Sequence, residues 1–591
     1  MSAAAWQRAL PWIALAALAA LPWVGAPPYW VTLANYIGIY AIVALGLVLL
    51  TGHAGLTSFG QSAFVGIGAY TTAYLATAAG LGPLATLAAS VALTTASALV
   101  LGVITVRLSG HYLPLCTIAW CLSLFYAFGN IDALGKFDGL TGIPAFELGG
   151  WRLEQGRELF YLIWGFVALA VLALRKLLDS RPGRVVRALK KGALMEESCG
   201  IDTARYKLLA FVIAAMLAGI SGWLYAYLQR AVNPTPFGLG YGIEYLFMAV
   251  VGGLGHLWGA IVGAALLTLV KDWLQGVLPA LLGQTGNFET IVFGVAMILL
   301  LQRAPEGLWG AVARRVGRRP APPPPAGTAP LPAQPQPPAG QPLLQLRAVR
   351  RTFGGLVAVN DISFGVASGE IVALIGPNGA GKSTLFNLVS GVLPLSAGEV
   401  HFDGRRVDGW AARRLARLRM GRTFQHVRLV PDMSVLENVM IGAHLRGQRG
   451  VLASVFGLNR AEEDSLRLEA ARQLRRVGLG EHLDQDAGAL ALGQQRTLEI
   501  ARALCLDPVL LLLDEPAAGL RHHEKQALAT LLRQLRQEGL SVLLVEHDMD
   551  FVMGLAERLV VMDFGTHIAE GPPAEVRRDP KVQAAYLGAD E

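Results

Sequence analysis

Ten apolar runs crowd into the first 302 residues, near 9–24, 30–50, 61–79, 83–106, 111–129, 158–178, 207–228, 240–255, 256–275 and 288–302. No other feature narrows the folding options of this chain so far. A hydrocarbon core about 30 Å thick takes some 20 apolar residues as a helix, and several runs reach that length. Lipid leaves a lone apolar segment no partner for its backbone except itself, so these runs are expected to be membrane helices, about ten in all. The pair around Gly252-Gly253-Leu254-Gly255 fits two crossings or one re-entrant hairpin. Small residues such as those of Gly66-Ile67-Gly68-Ala69 let helix backbones approach closely where lipid supplies no hydrophobic drive.

Basic residues orient the runs. Arg175, Lys176, Arg181, Arg184, Arg187, Lys190, Lys191, Arg205 and Lys207 fill one loop, and Arg303, Arg314, Arg315, Arg318 and Arg319 follow the last run. Both segments are expected in the cytoplasm. Counting back from them puts Arg107 and Arg8 inside as well, provided the first run is retained, although Val24-Gly25-Ala26 also passes for a signal-peptide cleavage site. The net charge of +7 is then positive-inside loops plus phosphate-facing charge, and nucleic acid is not an expected partner. Cys116, Cys121, Cys199 and Cys505 form neither a disulfide framework nor a metal-ligand spacing and read as inert. Glu244, Lys271 and Asp272, the charges nearest the runs, are expected at membrane interfaces or helix ends.

Arg184-Val185-Val186-Arg187-Ala188-Leu189-Lys190 begins a helical pattern within the basic loop, and Gly200-Ile201-Asp202 ends one and caps the next. A short surface helix there suits a mechanical lever; an amphipathic helix resting on headgroups has the same pattern. Residues 317–342 are dominated by Pro, Ala, Gln and Gly and are expected to form an extended tether that cannot steer what it joins.

Beyond the tether lies Gly376-Pro377-Asn378-Gly379-Ala380-Gly381-Lys382-Ser383-Thr384, which fits G-x-x-x-x-G-K-[ST] between the buried-strand pattern Ile371–Ile375 and a helical run from Leu385. Backbone N–H groups of such a loop turn toward phosphate oxygens, Lys382 offsets β/γ charge, and the Ser383 hydroxyl suits Mg²⁺. Leu510–Leu513 reads as a strand ending in two acids, Asp514 for Mg²⁺ through water and Glu515 to polarise the attacking water. Gln425 is a candidate for the metal or that water, His547 for the γ-phosphate, and Phe353 for stacking on adenine.

With these parts in order, residues 343–591 resemble an ATP-binding cassette (ABC) domain. Phe424-Gln425-His426-Val427-Arg428-Leu429, Gln494-Gln495-Arg496, Leu498 through Leu504, and Ala584-Ala585-Tyr586-Leu587-Gly588 are similar to the branched-chain amino acid importer subfamily. Residues 1–316 resemble the permease of the same importers, in Gly55 through Phe64 and in Gly183-Arg184 through Gly200-Ile201-Asp202. The fold class so implied is a polytopic α-helical membrane domain of about ten spans, fused to an α/β P-loop ABC ATPase domain with a helical subdomain.

The resemblance further implies a docking loop using Arg184, Arg187, Ala188, Glu196, Glu197 and Gly200, and a signature, Leu490-Ala491-Leu492-Gly493-Gln494, that faces a partner's ATP. It implies a second permease, a second cassette or a second copy of this chain, and a periplasmic solute-binding protein. The location implied is a bacterial inner membrane, with the cassette and the N-terminus in the cytoplasm. The chain departs from the family at three places: Ala491 replaces the signature serine, Arg521 stands where Asp or Asn follows Gly519-Leu520, and Lys191-Gly192-Ala193-Leu194 replaces acidic residues of the docking loop. The solute is unread; branched-chain amino acids are the family default. An exporter half and an ATPase-gated sensor are the rival readings, separable by span count and by uptake into proteoliposomes.

Overall fold

A computed structural model of the chain describes residues 20, 22–23, 27–105, 112–153, 156–282, 289–303, 306–316 and 327–587. It divides into two compact units, Met1–Asp179 with Ala204–Arg319, and Ser180–Thr203 with Pro320–Glu591. The basic loop thus groups with the ATPase residues, apart from the helices that flank it in sequence.

In the first unit, helices stand at nine of the ten apolar runs. Six are long and apolar enough to cross a bilayer: Pro28–His53, Pro83–Thr105, Tyr112–Asn130, Gly156–Leu178, Thr203–Gln229 and Leu257–Val277. The run at 9–24 lies outside the described residues, as do Arg8 and Arg107. Leu239–Gly252 has only 14 residues, about 21 Å at 1.5 Å per residue, and joins Leu257–Leu282 through a four-residue turn. Its brevity is what made that pair ambiguous. Small residues do bring helices together: a Cβ on Gly68 would lie 2.2 Å from the Gly219 carbonyl oxygen. A buried stripe along Pro83–Thr105 ties neighbours by hydroxyls, with Ser90 bonding Thr72 at 2.9 Å and Thr86 bonding Tyr227 at 3.1 Å.

One charged pair departs from expectation. Lys271 lies inside Leu257–Leu282 and Glu244 inside Leu239–Gly252, so neither stands at a helix end, and the Lys271 Nζ donates to Glu244 Oε1 at 2.7 Å. The helix-end expectation fails for these two because pairing between helices offsets a charge that hydropathy counts as exposed.

The second unit carries two sheets. Pro342–Phe353, Leu356–Ala367, Ala397–Phe402 and Arg405–Arg406 form an antiparallel sheet. The other runs in the order Met420–Arg422, Leu510–Asp514, Ser541–Val545, Ile371–Ile375, Arg558–Asp563, Thr566–Gly571, parallel except for its last pair. Strands 371–375, 510–514 and 541–545 are buried throughout, which is why they read as unbroken apolar runs. Hydrophobic clusters fill both faces of this sheet. A third cluster is shared by the helices Val435–Gly442, Arg460–Arg476 and Leu492–Leu504.

The tether is not free along its whole expected length. From Pro332 to Pro337 it lies on the cassette: Arg446 Nη2 donates to the Pro332 carbonyl at 2.9 Å, Arg419 Nη1 to that of Pro335 at 2.8 Å, and Ser368 Oγ to that of Pro337 at 3.0 Å. The Gln334 N–H donates to Asp507 Oδ2 at 2.9 Å. Proline has no N–H to engage its neighbours, so its carbonyls stay open to arginine donors. Residues 317–326 lie outside the described residues.

Candidate functional site

The parallel strands bring the nucleotide residues to one edge. Ile371–Ile375, Leu510–Asp514 and Ser541–Val545 are neighbours, and their carboxyl ends deliver the Gly-rich loop, Asp514-Glu515 and His547. Gly376 and Gly381 have φ of +149° and +92°, and a Cβ would lie 2.0 Å from the Met562 oxygen or 2.3 Å from the Ala358 oxygen. No other residue type fits either place. Between them Pro377 is half-buried, Asn378 and Gly379 are exposed, and Ala380 is buried. Lys382 opens the helix Lys382–Val389, with Ser383 exposed and Thr384 half-buried beside it. Its Nζ donates to the carbonyls of Gly376 and Pro377 at 2.6 and 2.8 Å, and burial pulls its ammonium below the ordinary lysine range, against the opposing pull of Glu515.

Glu515 is held in a left-handed turn, φ +46°, by its N–H to the Val545 carbonyl at 2.9 Å and by Arg496 Nη1 to its own carbonyl at 2.8 Å. His547 Nδ1 stands 4.0 Å from Glu515 Oε1, so base and sensor candidates meet. Asp514 is 6% exposed, and its Oδ1 has no hydrogen-bond partner among the described residues. Burial raises its pKa; Arg422, 3.8 Å from Oδ2, opposes this, and Glu515 and Glu546 add to it. A buried carboxylate oxygen without a donor suits a hydrated cation, and the exposed Ser383 and Gln425 supply neutral oxygens of the kind Mg²⁺ takes beside phosphate and water. Phe353 is 42% exposed at the end of its strand, with the Arg351 guanidinium 4.6 Å from the ring centroid. The strand after it passes Ala358, against which Gly381 packs, so the aromatic edge runs toward the phosphate loop.

Three groups here had no role assigned from sequence. Arg422 bonds Asn387 Oδ1 at 2.7 Å, sits between the Phe386 and Phe424 rings, and is pulled down to about 10 by burial. Glu546 is fully buried, accepts the Ala517 N–H at 2.6 Å, and is raised by burial. Arg496 links the helix behind the signature to the Glu515 turn. The only sequence signal for them was adjacency to the motifs.

The signature segment is built differently. Ala491 caps the helix Leu492–Leu504 without a side-chain acceptor, so only Gln494 Oε1, accepting the Ala491 N–H at 3.1 Å, braces its first turn. Leu490 is buried and Leu492 is 54% exposed. Gly493 and Arg521 both abut Glu524: a Cβ on Gly493 would lie 2.8 Å from Oε1, and the Arg521 N–H donates to Oε2 at 2.7 Å.

Comparison with known proteins accounts for both units. Residues 29–301 match the family described as branched-chain amino acid transport system / permease component, 359–518 match ABC transporter, and 566–591 match branched-chain amino acid ATP-binding cassette transporter. The high-affinity branched-chain amino acid transport ATP-binding protein LivG of Salmonella typhimurium is 43% identical over 252 residues, 42% of this chain and 98% of the relative. BraF of Pseudomonas aeruginosa, of the same description, is 40% identical over the same shares. A solved nucleotide-free ATP-binding cassette from an ABC transporter is 31% identical over 42% of this chain and 99% of that one, with a TM-score of 0.38. This chain belongs to the branched-chain amino acid ABC importer family. It is a membrane-embedded permease fused to a cassette that binds and hydrolyses ATP in step with transport, and the family works with further permease and cassette subunits and a solute-binding protein.

In this importer the basic loop meets an acidic face of the cassette. It folds as the helix Arg181–Ala188, a 3-10 turn at Leu189–Lys191, and the helix Ala193–Ser198. Arg184 is 3% exposed with its Nη2 2.7 Å from Glu463 Oε2, and Arg187 Nη2 donates to Glu437 Oε1 at 2.7 Å. Burial lowers the Arg184 pKa, while Glu463 opposes the shift. Arg181 donates from Nη1 and Nη2 to the carbonyls of His444 and Arg449, both at 2.7 Å, and from its N–H to Glu463 at 2.5 Å. Ala188 and Glu196 are fully buried, and Glu197 accepts from Thr203 Oγ1 at 3.3 Å. Gly200, with φ +80°, leaves no room for a Cβ, which would lie 2.4 Å from Leu445. Asp202 closes the loop on Arg413 at 2.5 Å.

The acids are held before the arginines arrive. Glu437 closes a capping box with Ser434, Glu462 accepts the Gln448 and Arg449 N–H groups, and Glu463 accepts from Asn459. From sequence the loop was visible but the face it meets was not. The available signal was Glu462-Glu463 in the first turn of the helix Arg460–Arg476, opposite in sign to the loop.

Proposed function

We propose that this chain is half of an importer of branched-chain amino acids or closely related amino acids, in a bacterial inner membrane with the cassette and both ends of the permease in the cytoplasm. Ten crossings, counting the first apolar run, keep both basic segments inside. What carries the reading is the docked loop: Arg184, buried on Glu463, belongs to a segment that leaves one membrane-length helix at Leu178 and enters another at Thr203.

The chemistry follows from the site. Backbone N–H groups of Gly379 to Thr384 and Lys382 bind the β- and γ-phosphates, and Phe353 stacks on adenine. Ser383, Gln425 and Asp514 would hold Mg²⁺, which neutralises phosphate charge when bound. Glu515 orients and polarises the attacking water, and His547 bonds the γ-phosphate it attacks. Leu490 to Gln494 serve a partner cassette's nucleotide, so two cassettes clamp two ATP molecules. The three helices that share their own core act as the helical subdomain carrying the docking face. Closure of the clamp is passed to the permease through Arg184, Arg187, Ala188, Glu196, Glu197 and Gly200. A differential affinity worth about 5.5 kcal/mol is enough to swing such an equilibrium from 1:99 to 99:1.

Proteoliposomes holding the assembled transporter with its solute-binding protein test the reading. ATP-dependent accumulation of labelled leucine is expected, and Glu515→Gln is expected to abolish it while ATP stays bound. Turnover of ATP with no accumulation of leucine, isoleucine or valine would sink the import assignment.

A further inference from the structure

Within the membrane unit the Glu244–Lys271 pair has unusual company. Lys271 lies about 16 Å of helix rise before the end of Leu257–Leu282, and Glu244 lies inside Leu239–Gly252. Their side chains are 29% and 34% exposed, so a face of the pair remains open. Ionisable groups within membrane helices are costly and are kept mostly where they meet a substrate or ion path. A pair that only fastened two helices has no need of further polar groups.

This one is surrounded by phenols. The Lys271 ammonium is 5.3 Å from the Tyr241 ring centroid. Tyr245 stacks obliquely on Tyr40 at 5.6 Å, and Tyr40 on Tyr36 at 5.8 Å. Tyr36, Tyr225 and Tyr245 all lie near Tyr241, and Tyr245 lies near Glu244. Four helices contribute, Pro28–Leu47, Thr203–Gln229, Leu239–Gly252 and Leu257–Leu282. Tyrosine offers both an apolar ring and a hydroxyl, and its face attracts an ammonium.

We propose that the Glu244–Lys271 pair and its tyrosines form a solute site in the permease, selective for zwitterionic α-amino acids with apolar side chains. The inference rests on the import reading above. The solute carboxylate takes Lys271, its ammonium takes Glu244 and the Tyr241 face, and its side chain lies among the rings. When the solute leaves, Lys271 and Glu244 close on each other. The pair is therefore balanced both loaded and empty, while the adjacent Asp272 engages Tyr29 and not the pair. A solute carrying one charge leaves one of the pair unmatched.

Binding of labelled leucine to the assembled transporter in nanodiscs, without the solute-binding protein, is the test. Leucine methyl ester, a cation, and 2-oxo-4-methylpentanoate, an anion, are expected to compete at least tenfold more weakly than unlabelled leucine; equal competition by either overturns the proposal. Glu244→Gln combined with Lys271→Gln keeps a hydrogen-bonded link between the helices and is expected to cost at least tenfold in leucine affinity, with the melting temperature reporting that the helices still pack. Lys271→Met is expected to move preference toward the ester. A double-glutamine variant that binds leucine like wild type also overturns it. Leucine uptake by wild type and by the double-glutamine variant, measured alongside, separates the two claims: equal uptake by both defeats this inference alone, and no uptake by wild type defeats the functional reading beneath it.

Discussion

The nucleotide edge and the docking face of the cassette solve their problems with different materials. At the nucleotide edge backbone does much of the positioning: glycines with no space for a Cβ, strand ends, and a carboxylate fixed in a left-handed turn. At the docking face side chains do it, through three arginines set against three glutamates and two backbone carbonyls. The first arrangement admits few residue types at each position. The second admits any complementary set, so a family can exchange its charges without losing the joint. The non-acidic Lys191-Gly192-Ala193-Leu194 is then no obstacle to docking, because the loop meets the cassette on either side of it, through Arg181, Arg184 and Arg187 before and Gly200 and Asp202 after.

That contrast can be broken by experiment. The largest effect is expected from Glu515→Gln, a fall of about 10²–10⁴-fold in ATP turnover with ATP affinity and melting temperature unchanged. Loss of ATP binding as well would mean that Glu515 shapes the loop and does not serve the water. Next is Arg184→Ala, which leaves Glu463 buried without its cation and is expected to cost about 3–5 kcal/mol, read by thermal unfolding and by faster hydrogen exchange over 181–198. The reversed pair Arg184→Glu with Glu463→Arg is expected to recover part of that loss. If the reversal recovers nothing, the docking face is as particular about residue type as the nucleotide edge. Ala491→Ser restores a cap and a donor toward a partner's γ-phosphate, about 1–3 kcal/mol of charge-assisted bonding, seen as a several-fold rise in turnover of the assembled transporter.

The smallest effect is one of pH. Burial, reinforced by Arg181 and Arg184, pushes His444 down to about 3 from an ordinary value near 6.5. The unfolded chain then takes up a proton that the folded chain refuses, so stability is complete above pH 6.5 and drains away as pH falls toward 3. From pH 6.5 to 5.5 the loss is about 1 kcal/mol, and His444→Gln is expected to flatten that slope in melting temperature against pH.

Legibility followed the same division. The P-loop, Asp514-Glu515 and His547 could be singled out from sequence because each follows a buried strand that announces itself as an apolar run, whereas Gln425 follows the short strand Met420–Arg422 and was visible only through its motif. Arg422, Glu546 and Arg496 could not, since a buried charge is recognisable only through the partners that folding brings near it. Helix positions in the membrane unit were legible from hydropathy. The depth of Lys271 was not, because its neutralising partner stands 27 residues away. Whether Leu239–Gly252 crosses or turns back was not legible, since its 14 residues suit either arrangement.

The prolines resting on the cassette carry one more consequence. Because Pro332 to Pro337 are pinned by Arg419, Arg446 and Ser368, the leash that governs encounter begins before that point and is shorter than composition suggests. Joining two partners in one chain by a short flexible linker sets an effective concentration on the order of millimolar, whatever the abundance of the protein in the cell. Free cassettes of related transporters must compete against that figure, so dilution and cross-talk have little purchase on this pairing.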